Sequence, residues 1–252
     1  MSRILVIGDS CTDMFQYGEC NRLCPEAPVP IFNPTKVTTN GGMAINVADN
    51  ITSLGDECKL ITNDFRPAKT RYVDQASNQI LLRVDVNDAI KSIKRETLNQ
   101  IEFSNYDAVV ISDYNKGFLS EEDIEFIGYH PLVFMDTKKK LGDWARSINF
   151  IKLNKKEYQE NYEWFQDPEH EKTTLVMTQG PEGAVLNSSK VFGIEKDHPV
   201  RDLSGAGDTF LAALVVEYLK NKNIEDAIVF ANKCSSWVVT QKGVVAVNPE
   251  RI

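Results

Sequence analysis

Asp208 is the residue whose neighbours best equip it for chemistry. It follows the turn Gly205-Ala206-Gly207 and leads into Phe210-Leu-Ala-Ala-Leu-Val-Val216, a helical stretch that is apolar nearly all round. Glycines at a helix start leave backbone N–H groups open to a ligand, and the helix dipole favours an anion there. An aspartate in that first turn has two readings. It complements the dipole, or it is a general base beside an anion hole, the arrangement that phosphoryl transfer to a hydroxyl requires. The apolar helix behind would keep such a mount rigid and dry. No Gly-Lys-Ser/Thr follows, so the turn is not a Walker loop, and no G-x-G-x-x-G follows the first apolar run. After Ile7, the stretch Gly8 to Asp13 reads as a turn presenting Asp9 and Asp13 at the end of a strand, where open α/β sheets bind ligands. Asp9 suits a capping role at least as well as ligand contact; Asp13 is the better substrate candidate.

The elements that must carry these residues are short continuous apolar runs. Arg3–Gly8, Ala108–Ser112, Leu132–Met135, Phe150–Leu153 and Thr174–Thr178 read as buried parallel strands. Helical patterns lie between several of them: Ile45–Leu54 closed by Gly55, roughly Ser92–Ile101, and Ser120–Ile127, which opens on a loose capping box. That alternation predicts an α/β fold around a mostly parallel sheet. Two largely buried helices, Ala206–Leu219 and Ile224–Thr240, follow. Val29–Val37 and the pair Thr70–Val73 and Gln79–Asp85 break the rhythm as β-structure without helices. Pro28, Pro30 and Pro34 suit edges and turns. These segments predict a small β-lid standing off the main sheet.

Composition narrows the function classes. The 252 residues carry a net charge of −8, against the clustered positive field that nucleic acid demands. Lys138-Lys139-Lys140 reads as a solvated turn. Five cysteines, with Cys20 and Cys24 four apart, and three histidines, His130, His170 and His198, form no zinc-ligand set. The odd cysteine count, with no signal-peptide pattern, favours the expectation of a reducing cytoplasm over a disulfide framework. No apolar run approaches membrane-spanning length.

Asp202-Leu-Ser-Gly-Ala-Gly-Asp208 resembles the D-T-x-G-A-G-D signature of the ribokinase-like (PfkB-type) carbohydrate kinases. Gly41-Gly42-Met-Ala-Ile-Asn46 resembles that family's sugar-binding glycine motif, Asn154-Lys-Lys-Glu157 its N-x-x-E motif, and Thr178-Gln-Gly-Pro-Glu-Gly183 its T-x-G-x-x-G nucleotide loop. The four occur in the family's order and span nearly the whole chain. Within the family the likeness points to the kinases of D-glycero-D-manno-heptose 7-phosphate, which form the N-terminal halves of bifunctional ADP-heptose synthases. Asn21-Arg-Leu-Cys-Pro-Glu-Ala-Pro-Val-Pro30, Ile111-Ser-Asp-Tyr-Asn-Lys-Gly117, Asp136-Thr-Lys138 and Phe230-Ala-Asn232 carry it.

The resemblance implies a ribokinase-like three-layer fold over 1–252 as one kinase domain, with lid segments at about 14–38 and 68–86. It implies ATP and Mg2+ as cofactors and a sugar phosphate as substrate. Charge and hydropathy leave neither nucleic acid nor membrane as an expected partner, and the exposed β-edge of the lid predicts pairing with a second subunit as a homodimer. Asp208 would deprotonate the acceptor hydroxyl, while Gly205, Ala206 and Gly207 hold the transferring phosphoryl group. Asp13, Gly41, Gly42 and Asn46 would bind sugar hydroxyls, and Arg71 would reach a substrate phosphate. Glu157, through water, and Asn154 would order the magnesium shell. Thr178, Gly180, Gly183 and Asn232 would surround ATP. Asn154 also reads as a plain helix cap with Glu157 closing its capping box. The chain departs from the pattern at Leu203 and Ser204, is short around 64–69 and 158–173, and contains no H-x-G-H nucleotidyltransferase segment.

Overall fold

The apolar runs assemble as expected into one large sheet. The structure, a computed structural model, describes residues 1–87, 89–194 and 199–252; His198 lies outside the described residues. In chain order the strands are β1 (Arg3–Gly8), β2 (Ser10–Glu19), β3 (Asn33–Met43), β4 (Glu57–Thr62), β5 (Ala68–Asp74), β6 (Ile80–Val86), β7 (Ala108–Asp113), β8 (Val133–Thr137), β9 (Phe150–Asn154), β10 (Thr174–Thr178), β11 (Ala184–Leu186) and β12 (Lys190–Phe192). The helices are α1 (Ala44–Ser53), α2 (Arg95–Asn99), α3 (Glu121–Ile127), α4 (Lys155–Glu160), α5 (Tyr162–Gln166), α6 (Ala206–Asn221) and α7 (Ile224–Val238).

The large sheet runs β12-β11-β10-β9-β8-β7-β1-β4, parallel from β10 to β4 and antiparallel at the β11 and β12 edge. Alternation along β1 divides the core. Ile4 and Val6 face α1, α6 and α7, whereas Leu5 and Ile7 face the layer containing Leu98, Ile124 and Ile127. Strands buried on both faces read as unbroken apolar runs, and the expected mostly parallel sheet between two layers is present. Among the described residues, no helix is long and apolar enough to cross a membrane.

A second sheet, β3-β2-β5-β6, is built from the segments expected to form a lid. The structure differs from the sequence expectation in three places, two of them in this sheet. The stretch after Asp9 is not a turn: Ser10–Glu19 is a ten-residue strand pairing with both β3 and β5. The strand expected from Val29 starts instead at Asn33 and continues through Gly41 and Gly42, so those glycines end an edge strand. The helix expected over Ser92–Ile101 shrinks to Arg95–Asn99. Its first residues are held extended because the N–H groups of Ile90 and Ile93 donate to the carbonyls of Lys116 and Phe118.

Candidate functional site

The parallel strands end on one edge, and the polar residues gather there. β1 delivers Asp9, β7 delivers Asp113 and Tyr114, β8 delivers Asp136 and Lys138, and β9 delivers Lys152 and Asn154. Asp9 has a structural task. Its carboxylate accepts the N–H groups of Tyr114 at 2.7 Å, Lys116 at 3.1 Å and Phe118 at 3.2 Å, fixing the loop after β7. Asp202 does the same for the turn before α6, accepting from Ser204 N at 2.9 Å and Gly243 N at 3.1 Å.

Gly205 caps α6 with φ of 81°, a left-handed conformation that favours glycine. A Cβ there would also stand 2.6 Å from Asn46 Nδ2. Among the described residues the N–H groups of Gly205, Gly207 and Asp208 meet no acceptor. That of Ala206 differs from expectation by donating to the Leu203 carbonyl at 3.3 Å. The Lys152 ammonium lies beside these donors, 3.0 Å from where a Cβ on Gly207 would be.

Asp208 is buried, and neutral donors hold its carboxylate. Tyr114 Oη donates to Oδ1 at 2.6 Å and Asn46 Nδ2 to Oδ2 at 3.2 Å. Burial pushes its pKa up to about 6, against the pull of those two hydrogen bonds. A carboxylate titrating there is ionised near neutrality yet able to take a proton. The Tyr114 hydroxyl moves well above its ordinary value through burial and the carboxylates of Asp208 and Asp136, so it remains a donor.

Asn46 was expected to meet sugar hydroxyls, but the structure gives its amide protein partners. Its Nδ2 also donates to the Gly205 carbonyl at 3.3 Å, and its Oδ1 accepts from Asn50 Nδ2 at 3.0 Å. Asn50 Oδ1 in turn accepts from Val247 N at 3.0 Å. The relay fixes which end of the Asn46 amide faces Asp208.

The small sheet closes over this edge with its inner face. On β5 the buried residues alternate as Lys69, Arg71 and Val73. Arg71 is ion-paired with buried Asp13, so its guanidinium, expected to reach a substrate phosphate, is already engaged by a carboxylate. Asp13 presses against Gly42, where a Cβ would stand 2.0 Å from Oδ2 and 2.7 Å from Cys11 Sγ. Only glycine allows that approach. Gly41, beside it on β3, backs onto Ile45. Burial first, and then Asp13, push the Cys11 thiol up to about 12.

Asn154 and Glu157 do form a capping box, each side chain taking the other's backbone N–H, at 2.9 and 2.8 Å. Glu157 also accepts Lys138 at 2.6 Å. Direct metal ligation by a carboxylate so engaged is disfavoured. Among the described residues no group of three or more His, Cys, Asp or Glu side chains forms a ligand set. With its carboxylate engaged by Asn154 N–H and Lys138, Glu157 fits contact with a magnesium ion through the ion's waters rather than direct ligation. Thr178 ends β10 opposite Asn154, and Gly180 and Gly183 bound the turn beyond it, both with positive φ. Asn232 Nδ2 donates to the Phe192 carbonyl at 2.9 Å, and Gly183 packs against that same carbonyl.

Tyr114, Lys152 and Asp136 were assigned no role from sequence. Tyr114 and Asp136 do lie inside the runs Ile111–Gly117 and Asp136–Lys138, a signal that was present. Lys69 shares the lid-strand face of Arg71 because residues two apart on a strand point the same way, a signal the sequence carries; its place over Tyr114, and Lys152 altogether, emerge only from long-range packing.

The family model of the pfkB family carbohydrate kinases matches residues 94–251. The bifunctional protein HldE of a Nitratiruptor species is 31% identical over 296 aligned positions, which cover 99% of this chain and 64% of that protein. Its counterpart in Helicobacter pylori is 29% identical, over 100% of this chain and 66% of that protein. The chain thus spans about two thirds of the length of these relatives, and the alignment exceeds its 252 residues, so they carry insertions relative to it. Ribokinase from Thermotoga maritima superposes with a TM-score of 0.73 at 17% identity, covering 99% of this chain and 98% of that one. Phosphofructokinase-2 from Escherichia coli gives 0.73 at 15%, covering 98% and 96%. Ribokinase from Cryptococcus neoformans, solved with ADP, gives 0.71 at 15%, covering 100% of both chains.

Proposed function

The chain belongs to the pfkB family of carbohydrate kinases, and we propose that it transfers the γ-phosphoryl group of ATP to the anomeric hydroxyl of D-glycero-D-manno-heptose 7-phosphate. The observation that carries the chemistry is Asp208, buried at the open N-terminus of α6 between two neutral donors. The heptose assignment is supported by the Asn21–Pro30 and Ile111–Gly117 runs and by the HldE relatives.

In this reading the sugar hydroxyl gives its proton to Asp208 while its oxygen bonds to the γ-phosphorus. The bond from that phosphorus to the β–γ bridging oxygen breaks, and ADP leaves. The N–H groups of Gly205 and Gly207 and the Lys152 ammonium meet the charge on the transferring group. Asn46 and Tyr114 aim the base. Asp13, held by Arg71 and by close approach to Gly42, faces the sugar with Gly41. Thr178, Gly180, Gly183 and Asn232 line the nucleotide, a role consistent with the ADP bound by the Cryptococcus ribokinase. Magnesium, when bound, neutralises phosphate charge, and Asn154 and Glu157 would hold it through its waters.

The same reading places the protein in the cytoplasm, making a bisphosphate for ADP-heptose synthesis. It also makes it a homodimer, because Ile80, Leu82, Val84 and Val86 on the edge strand β6 leave apolar surface and unpaired backbone exposed. Sedimentation should show a dimer at micromolar concentration; a monomer removes that part. The catalytic reading is tested by an ADP-release assay over a panel of sugars and sugar phosphates. The expected outcome is highest kcat/KM with heptose 7-phosphate, and preference for an unphosphorylated sugar overturns it.

A further inference from the structure

Three cations are buried among the described residues: Lys69, Arg71 and Lys152. Arg71 rests on Asp13 and Lys152 on Asp136. Lys69 is 8% exposed, and among the described residues it makes no ion pair or hydrogen bond. Its ammonium stands over the Tyr114 ring, 5.6 Å from the centroid. Asp85, its cross-strand register partner, senses its charge but is committed through both oxygens to Arg83 at 2.7 Å. An ammonium on a largely buried lysine that makes no ion pair or hydrogen bond of its own leaves its donors open to an incoming anion.

Its position says which anion completes it. Lys69 enters from the inner face of β5, at the level of Asp13 in the β2 ladder. The tyrosine beneath it bonds Asp208 through its hydroxyl, so Lys69 and the base flank a single ring. The open amides of α6 already have their own cation, Lys152, arriving from the other sheet. An anion reaching Lys69 therefore belongs to the acceptor on the small-sheet side. We propose that Lys69 binds the phosphate monoester at the far end of the acceptor sugar and so selects phosphorylated over neutral sugars; this rests on the sugar-phosphate kinase reading above.

Lys69→Met keeps length and removes charge. Loss of a charge-assisted contact should raise the KM for heptose 7-phosphate about 10- to 100-fold, with the KM for ATP unchanged. Lys69→Arg should recover most of that loss. Inorganic phosphate should compete with the sugar phosphate in the wild type and lose this effect in Lys69→Met. Thermal unfolding should show the Met variant about as stable as the wild type, since the ammonium it loses makes no ion pair or hydrogen bond within the protein. Should Lys69→Met not fold, Lys69→Gln carries the same comparison. A wild type that uses heptose 7-phosphate, with variants of unaltered sugar-phosphate KM, overturns the phosphate contact alone. A rise confined to ATP assigns the ammonium to the nucleotide and also overturns it. A wild type that turns over only neutral sugars overturns both the contact and the substrate reading.

Discussion

Asp208 at the start of α6 and Asp136 at the end of β8 are both buried aspartates, and their surroundings drive them in opposite directions. Asp208 has a phenol and an amide for partners, and burial lifts its pKa to about 6. Burial acts on Asp136 too, but Lys152 and Lys138 outweigh it and hold the carboxyl below its ordinary range. Lys138 gains in turn: burial works against its charge, yet Asp136 and Glu157 hold its pKa above the usual lysine value. Neutral donors leave a carboxylate able to change its protonation state, whereas ammonium partners lock it. The first arrangement suits a base and the second a fixed, charge-paired frame.

Removing the two carboxyl groups separately should break the comparison cleanly. Asp208→Asn should lower turnover by about 10²–10⁴-fold, the usual worth of acid–base assistance, while nucleotide binding persists. It should not destabilise the fold. The folded-state pKa of about 6 lies above the ordinary 3.8, so ionising Asp208 opposes folding by about 3 kcal/mol once the pH exceeds both values. That penalty fades as the pH falls from 6 to 4, and a denaturation series on both proteins reads it directly. Near wild-type turnover in the Asn variant removes Asp208 from the mechanism.

Asp136→Asn should do the reverse. It strands Lys152, which is 4% exposed, and should lower unfolding free energy by about 3–5 kcal/mol, as for other broken buried pairs. Urea denaturation measures it, and an unchanged midpoint would show that the pair holds nothing together. The pH dependence is a smaller effect. With Asp208 required in its ionised form, kcat/KM should be flat above about pH 7 and fall about tenfold per unit below 6. A profile flat down to pH 5 would contradict the raised pKa.

The contrast also explains what could be read from the sequence. The large sheet was legible because strands buried on both faces leave unbroken apolar runs, and the Gly205–Asp208 turn was legible because its residues are local. The ten-residue strand β2 was not. Its buried residues Cys11, Asp13 and Phe15 alternate as a strand should, but a charge in that row reads as a turn. Asp13 is tolerable inside only because Arg71, 58 positions away, neutralises it. The lid boundaries and the placement of Lys152 escaped for the same reason: each depends on a partner distant in sequence.

Tyr114→Phe sharpens the comparison most finely, because it alters the donor set of Asp208 without touching a charge. The phenol hydrogen bond favours the ionised carboxylate, so losing it lets burial act more strongly and raises the pKa of Asp208 further. A hydrogen bond to a charged group is worth about 1.5–3 kcal/mol, or about one to two pH units. The acidic limb of kcat/KM, which reports the free enzyme, should therefore move from about 6 to 7 or above. Above that limb the variant should recover to within about tenfold of wild type, since Asn46 still aims the other carboxylate oxygen. A tyrosine that merely filled space would lower kcat/KM equally at every pH. An unmoved limb would show that Tyr114 does not hold the ionised base.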